Sequence, residues 1–141
     1  MMHWRAHSDQ MDNFTAYDDV VSEVASHLQW RVSAAVEAGI NVNDVIIDPG
    51  LGFAKESKHN WQILRNLDRL IGLGHPVLVA ASRKRFLGSA LADPQGRPRA
   101  IDQRDGGSAA VAALATAAGV WGVRVHDVAE MRTLVDALDA L

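Results

Sequence analysis

Three short apolar runs along the chain are each followed by a polar or glycine-rich loop and then by a stretch with helical spacing. The runs occupy residues 45–48, 76–81 and 121–126. Each run is too short, and too rich in β-branched or uniformly apolar residues, for a helix, and the first two lack the alternation of a half-exposed strand. This repeat predicts βα units around a parallel sheet, which is an α/β fold.

Four helices are predicted from the spacing of apolar residues and from the glycines that follow them. The first three are predicted over residues 17–38, 61–71 and 108–118, and the fourth runs from Asp127 to Leu141. Each of the first three ends near a glycine, the preferred residue just after a helix. Asp127 is expected to cap the last helix, with Glu130 three residues later as in a capping box.

The first five residues have the character of the end of a strand. With this stub the chain contains four βα units, half of the eight that close a barrel of about 250 residues. We therefore expect residues 1–141 to be part of one domain and to be truncated. The one loop expected to be loose covers residues 93–104, which are rich in proline, glycine and charge.

Composition and charge narrow the function classes. Seventeen acidic residues against fourteen basic ones give a net charge of -3, so no overall positive field predicts binding to nucleic acid or an anionic membrane. The chain has no cysteine, which excludes disulfides and thiolate metal sites and fits a cytoplasmic protein. Residues 1–14 carry His, Arg and Asp, so we expect no signal peptide, and glycines interrupt the uncharged run 106–123, which we interpret as a helix and a strand.

The residues at the ends of the predicted strands are polar, and ligands of parallel α/β proteins gather there. Asp48 ends the first run, before a loop that Pro49, Gly50 and Gly52 force into a tight path. A carboxylate at this place is suited to accept paired N–H donors from a heterocycle. The alternative is that Asp48 caps a turn or the next helix, and the spacing does not decide between the two.

Three consecutive cations, Arg83, Lys84 and Arg85, follow the second run. Such a cluster suits an anionic ligand, and its position directly after a central strand favours a site over a solvated basic loop, which is the alternative.

The third run places Arg124 and His126 on one face of a strand, because side chains two residues apart point the same way. Both side chains bind phosphate groups readily. The alternatives are an ion pair of Arg124 with Asp48 or Asp127, and a histidine that belongs to the core.

Other polar and aromatic residues are assigned structural roles. Asp105 or Ser108 is expected to cap the third helix, although the same helix start could hold an anion. His59 and Asn60 are expected at the start of the second helix. The tryptophans are expected to pack rather than to stack on a ligand; they are Trp4, Trp30, Trp61 and Trp121. No residues have metal-ligand spacing.

Four motifs, in this order, resemble those of dihydropteroate synthase. They are Met2-His3-Trp4-Arg5, Asp48-Pro49-Gly50-Leu51-Gly52-Phe53-Ala54-Lys55, Ser82-Arg83-Lys84-Arg85-Phe86-Leu87-Gly88 and Arg124-Val125-His126-Asp127-Val128. The resemblance covers essentially the whole chain, and its Trp-Arg and Arg-Lys-Arg variants resemble the actinobacterial type. It implies a TIM (β/α)8 barrel, of which this chain would be the C-terminal half and would lack the N-terminal half.

The resemblance also implies an activity, the condensation of 6-hydroxymethyl-7,8-dihydropterin diphosphate with p-aminobenzoate in folate biosynthesis. Asp48 would bind the pterin ring, Met2 would pack on it, and Lys84 would contact the pterin and the region of the p-aminobenzoate. Arg124 and His126 would hold the diphosphate. The groups expected to act in the reaction are Lys84, Arg124 and His126.

Phe53, Lys84 and Arg85 would line the p-aminobenzoate side, where sulfonamides compete in this family. Arg85 replaces a serine found in many members, so its role is open, and Ala80 replaces a glycine beside the pterin. The resemblance further implies Mg²⁺, bound by an asparagine of the missing half, and a homodimer of the full-length chain.

Two other functions remain open. Methyltransferases that use methyltetrahydrofolate share the pterin-binding barrel, but the motif of residues 82–86 argues against them. The chain as it stands would otherwise be a catalytically incompetent half-barrel or paralogue that binds only pterin or diphosphate. Four βα units would expose two sheet edges, so we expect the 141-residue chain to associate, and sedimentation as a stable monomer would contradict this.

Overall fold

The structure, a computed structural model, describes residues 1–140. Its α-helices are α1 (Val20–Glu37), α2 (Ser57–Arg65), α3 (Leu67–Ile71), α4 (Arg85–Ala90), α5 (Asp105–Ala117) and α6 (Val128–Leu138). Its strands are β1 (Leu78–Val79) and β2 (Gly122–Val123), and 3₁₀ turns cover Met11–Asn13, Val42–Asp44 and Ile101–Gln103.

The extended segments form one parallel array in chain order. Strands β1 and β2 pair in parallel, and two isolated parallel bridges, Met2 with Asp48 and Ile47 with Val77, continue the array on the other side of β1. These pairs confirm the α/β class, the strand character of the first residues and the three predicted runs. The regular strands are shorter than the runs, but the common direction brings all four C-terminal ends to one edge.

Helix α1 covers this array with one apolar face. The buried residues of that face are Val20, Val21, Val24, Leu28 and Val32. The helix begins three residues later than predicted, because the Asp19 carboxylate accepts hydrogen bonds from the backbone N–H groups of Val21 and Ser22 and so caps it there.

The predicted second helix is two helices with different starts. Asn66 has φ -126° and ψ 37°, outside the helical region, and it separates α2 from α3. Helix α2 begins earlier than predicted because Glu56 and His59 form a capping box, which confirms His59 at the start of the helix.

The start of α5 corrects one prediction. Its N-cap is Arg104, and no side chain caps it, so the expectation that Asp105 or Ser108 does so was wrong. The Asp105 carboxylate instead binds Arg83, and the Ser108 hydroxyl donates to the Arg104 carbonyl oxygen. Within α6, by contrast, Asp127 accepts from the Glu130 N–H as predicted, and Leu141 lies outside the described residues.

Helix α4 was not predicted, because its six residues directly follow the basic motif and only Phe86, Leu87 and Gly88 are buried. Trp61 packs edge-on against Phe86 with ring centroids 5.1 Å apart, whereas Trp30 and Trp121 are 63% and 62% exposed, so the packing prediction was wrong for those two.

Residues 94–103 are exposed, as expected of a loose loop, and contain one 3₁₀ turn, whereas Arg104 at the end of the segment is buried. No helix within residues 1–140 is both long and apolar enough to cross a membrane.

Candidate functional site

Asp48 lies at the edge where the parallel segments end, and both of its oxygens are directed by neighbours. Oδ1 accepts a hydrogen bond of 2.7 Å from the Gly50 N–H, and Oδ2 lies 3.9 Å from Nη2 of Arg124. The side chain is buried, whereas that of Arg124 is 60% exposed. The capping interpretation of Asp48 is therefore confirmed for one oxygen, while the other oxygen faces the cation that follows β2, and the binding of a heterocycle stays a prediction.

The loop after Asp48 follows a path that requires glycine. Gly50 has φ +65°, and a Cβ atom there would lie 2.0 Å from the carbonyl oxygen of His3. Gly52 also has a positive φ, and its N–H donates to Oδ1 of Asn60 at 2.7 Å. The buried Asn60 thus ties the start of α2 to the loop, and Met2 lies on the other side, with its Cγ 3.4 Å from the same Cβ position of Gly50.

Lys84 reaches this loop from the segment after β1. Its ammonium group donates to the carbonyl oxygen of Leu51 and lies 4.9 Å from the centroid of the Phe53 ring. Burial lowers the pKa of Lys84 to about 8, against the opposing attraction of the Asp48 carboxylate. A cation, an aromatic ring and a carboxylate therefore meet at this edge.

The other two cations of the basic motif form ion pairs with carboxylates. Arg83 forms a bidentate ion pair with Asp105, with N···O distances of 2.7 and 2.9 Å. This contact lowers the pKa of the Asp105 carboxyl group. Arg85 pairs with Asp12 at 2.9 Å on the surface. Each cation of the motif therefore has a different partner, although all three line the larger cavity, so a shared anionic ligand stays a prediction.

Arg124 and His126 line one cavity, but both follow β2 and Val125 lines the same cavity, so their common face on a strand stays a prediction. Nδ1 of His126 is 2.9 Å from the hydroxyl oxygen of Ser82, which links the ends of β1 and β2. A cavity of about 310 Å³ lies between these ends; its lining residues are Ala80, Ser82, Lys84, Arg124, Val125 and His126. Two cationic side chains and a histidine thus surround one open space.

A larger cavity of about 690 Å³ lies on the other side of Lys84. Its lining includes Phe53, Lys84 and Arg85, which the sequence placed together, and it also includes Asp12 and Arg83. Lys84 therefore stands between two cavities that are both lined by cations, and the larger one is also bordered by the Phe53 ring.

Lys55 and His3 were missed as site residues, although both belong to motifs of the sequence. Lys55 is only 7% exposed and His3 only 1%. The Lys55 Nζ lies 2.9 Å from Nδ1 of His3, and it donates to the carbonyl oxygens of Gly50 and Phe53 at 3.1 and 3.0 Å. The sequence shows Lys55 only as a lone lysine at the end of a glycine-rich apolar loop. That pattern is equally compatible with a buried, a ligand-binding and a surface lysine, so it could not identify Lys55.

The residues at this edge do not fit a Mg²⁺ site. Magnesium prefers octahedral oxygen ligands, and residues 1–140 contain no group of three or more histidine, aspartate or glutamate side chains placed to hold a metal. Asp48 is bound by the Gly50 N–H and faces Arg124.

Comparison with known proteins identifies the family. The family described as "Pterin binding enzyme" matches residues 1–126. A dihydropteroate synthase of Mycobacterium leprae is 48% identical over 139 residues, which are 98% of this chain and 48% of that protein. The chain spans about half the length of the curated relatives it matches.

Solved structures agree with this. The dihydropteroate synthase of Thermus thermophilus in complex with 4-aminobenzoate is 39% identical, with a TM-score of 0.90 over 100% of this chain and 55% of that one. The same enzyme in complex with 6HMPPP is 39% identical, with a TM-score of 0.89 over 100% of this chain and 54% of that one. Because the family matches residues 1–126 of the chain, and the curated relative and the two structures are similar over nearly all of it, the chain belongs to the pterin-binding enzyme family.

Proposed function

We propose that the chain supplies the strand-end groups of a dihydropteroate synthase, which joins 6-hydroxymethyl-7,8-dihydropterin diphosphate to p-aminobenzoate and releases 7,8-dihydropteroate and diphosphate. The relatives named above support the reaction. The observation that carries the proposal is the convergence of Asp48, Lys84 and Arg124 at one edge, with the Oδ2 of Asp48 turned towards the guanidinium of Arg124.

The pterin would lie against Asp48 and Lys84. The Oδ2 of Asp48 has no hydrogen-bond donor within the described residues, so it is available to N–H groups of a heterocycle, while Oδ1 stays on Gly50. Met2, which lies against Gly50, would cover one face of the ring. The buried carboxylate would also stabilise positive charge that develops on the pterin.

The diphosphate would lie in the cavity beside Arg124 and His126. The exposed guanidinium of Arg124 offers several N–H donors to phosphate oxygens, and charge-assisted contacts of this kind are the strong ones. In the reaction the C–O bond to the diphosphate breaks and its electron pair leaves with the diphosphate. The amine nitrogen of p-aminobenzoate then forms the C–N bond and loses a proton, and no protein nucleophile is needed.

The p-aminobenzoate would enter from the larger cavity, which Phe53, Lys84 and Arg85 border. The Thermus thermophilus relative in complex with 4-aminobenzoate supports this substrate class. Within residues 1–140 the only ion pair of Arg85 is an exposed one with Asp12, so the guanidinium can turn towards a carboxylate at small cost. Sulfonamides would compete at the same place.

The remaining expectations are proposals about the whole protein. We propose that residues 1–141 are the C-terminal half of a TIM barrel, that Mg²⁺ is held with the diphosphate by residues this chain does not contain, and that the full-length protein is a cytoplasmic homodimer.

The test is an assay of the purified 141-residue chain with the pterin diphosphate, p-aminobenzoate and Mg²⁺, with dihydropteroate detected by mass. Product formation would support the proposal. Calorimetric binding of the pterin diphosphate without product would favour the half-barrel that only binds. A folded chain that binds neither substrate would contradict the proposal, and methyl transfer from methyltetrahydrofolate would replace it.

A further inference from the structure

The ammonium group of Lys55 is fully occupied inside the protein. An ammonium group has three N–H donors and no acceptor, and the three contacts of Lys55 are Nδ1 of His3 and the carbonyl oxygens of Gly50 and Phe53. All three partners lie at or beside the glycine loop that follows Asp48. The side chain therefore binds the loop at its first glycine and at its aromatic residue.

A buried cation at this place has a cost that these contacts and the nearby Asp48 carboxylate offset. An ammonium group is strongly disfavoured away from water unless it is hydrogen-bonded and compensated by charge. Burial lowers the pKa of Lys55 to about 7, and the nearby Asp48 carboxylate opposes this shift. An uncharged residue would pack there without that cost, so the contacts to the loop are what the lysine adds.

His3 completes the contact from the neighbouring segment. When Lys55 is the ammonium donor, Nδ1 of His3 accepts, and this requires a neutral ring that carries its proton on Nε2. The backbone of His3 also donates to the Asp48 carbonyl oxygen at 2.9 Å. One residue thus holds both Lys55 and the backbone of Asp48.

Lys55 differs from Lys84, the other lysine that binds this loop. Lys84 donates to the Leu51 carbonyl oxygen, but it borders both cavities and is proposed to contact the substrates. When Lys84 turns to a ligand, the carbonyl oxygen of Leu51 loses its donor. The contacts of Lys55 and Asn60 then remain to hold the loop.

We propose that Lys55, bound to His3, is a positioning residue that fastens the loop between Asp48 and Phe53 and thereby sets the affinity for the pterin. Lys55 also lines the larger cavity, but its three N–H donors are taken by these contacts, so we infer that it acts through the loop. The inference about affinity rests on the proposed function, whereas the fastening of the loop does not.

The first experiment measures the loop alone, by hydrogen exchange of residues 48–55 in the unliganded chain. Lys55→Met removes the donors and keeps the length of the side chain. The matched control is Lys58→Met, because Lys58 is an exposed lysine whose charge pairs only with Glu56 among the described residues. We expect exchange in the loop at least about tenfold faster in Lys55→Met and unchanged in Lys58→Met. Equal exchange in both variants would overturn the proposal.

The second experiment tests the partner, and it also serves if Lys55→Met fails to fold. His3→Asn keeps an acceptor near the position of Nδ1, whereas His3→Leu removes it, and both lose the ring. The loop should stay protected in His3→Asn and exchange at least about tenfold faster in His3→Leu. Similar exchange in the two variants would show that the acceptor is not what matters.

The third measurement is the affinity for the pterin diphosphate by calorimetry. Lys55→Met should raise Kd about tenfold or more with a normal circular dichroism spectrum, and Lys58→Met should not. A loosened loop with unchanged pterin affinity would overturn the role in positioning. Absence of pterin binding by the unmodified chain would instead count against the proposed function, and the exchange data would still decide whether Lys55 fastens the loop.

Discussion

The guanidinium of Arg124 lies 3.9 Å from the carboxylate of Asp48, although β1 lies between the segments that carry them. The separation is too long for a hydrogen bond. Asp48 is fixed by the Gly50 N–H, whereas Arg124 is largely exposed. The pair therefore orients the arginine without locking it, and an anionic ligand can recruit it at a small cost.

Arg124→Ala should weaken the binding of a pterin diphosphate far more than that of the same pterin without the diphosphate. A hydrogen bond to a charged group contributes about 1.5 to 3 kcal/mol, so the diphosphate ligand should lose at least about tenfold in affinity. Calorimetry with both ligands measures the difference. Arg124→Lys keeps the charge but not the planar donor fork, so its affinity for the diphosphate ligand should lie between those of the unmodified chain and Arg124→Ala. Equal losses of affinity for both ligands in Arg124→Ala would remove Arg124 from the phosphate role.

The substitution Asp48→Asn distinguishes the roles of the two carboxylate oxygens. The amide oxygen of asparagine can still accept from the Gly50 N–H, so the cap should survive and the melting temperature should change little. The other oxygen becomes an N–H donor, which would repel the N–H groups of a pterin, so both pterin ligands should bind more weakly. Unchanged affinity for both would leave Asp48 with the capping role alone.

The order of the elements was predictable from the sequence because it depends on local patterns. Buried strands and amphipathic helices of the four units were recognised from apolar spacing, and Asp127 from its position before the last helix. The convergence at the strand ends followed from the parallel direction alone. The sequence therefore also predicts an ion pair of Arg124 with Asp48 as one possibility.

The remaining features depend on contacts between residues far apart in the chain. Arg83 and Asp105 are 22 residues apart, and Lys55 and His3 are 52 apart, and no local pattern joins either pair. A run of three cations in the sequence does not reveal whether the three side chains share one ligand or bind separate carboxylates. The short helix α4 was hidden for the same reason, since its stability comes from the burial of Phe86 and Leu87 rather than from its length.

The buried His3 predicts a specific dependence of stability on pH. Burial first, and then the charges of Lys55, His27 and Arg5, lower the pKa of His3 from its ordinary value of 6.5 to about 3. Between these values the unfolded chain binds a proton at His3 and the folded chain does not. The free energy of unfolding should therefore fall as the pH falls from 6.5 towards 3, by at most about 1.4 kcal/mol per pH unit from this group.

Urea unfolding between pH 4.5 and 6.5 measures this slope while most carboxylates remain ionised. His3→Asn should flatten it, because the titrating group is gone, whatever the variant loses in absolute stability. His7→Asn, which removes an exposed histidine, is the control. Tyr17 and His27 also lie against the His3 ring. An unchanged slope in His3→Asn would mean that other groups, such as His27, carry the effect.

Alanine variants of Gly50 and Gly96 distinguish two costs in unfolding free energy. One is a steric clash with a neighbouring backbone, and the other is the strain of a positive φ. Both have positive φ, +65° and +78°, but a Cβ at Gly50 would lie 2.0 Å from the His3 carbonyl oxygen, whereas one at Gly96 would meet no atom within 4 Å. Gly96→Ala should cost roughly 1–2 kcal/mol of unfolding free energy, the penalty for the left-handed conformation.

Gly50→Ala should cost more than about 3 kcal/mol, because the opposing atom belongs to the backbone and cannot turn away as a flexible side chain would. The variant should also lose pterin affinity, since any shift of the loop breaks the bond between the Gly50 N–H and Asp48. Urea unfolding of both variants gives the comparison. If the two alanine variants were equally stable, the loop would have room to move away from His3, and its fixed position could not be what aligns Asp48 with a ligand.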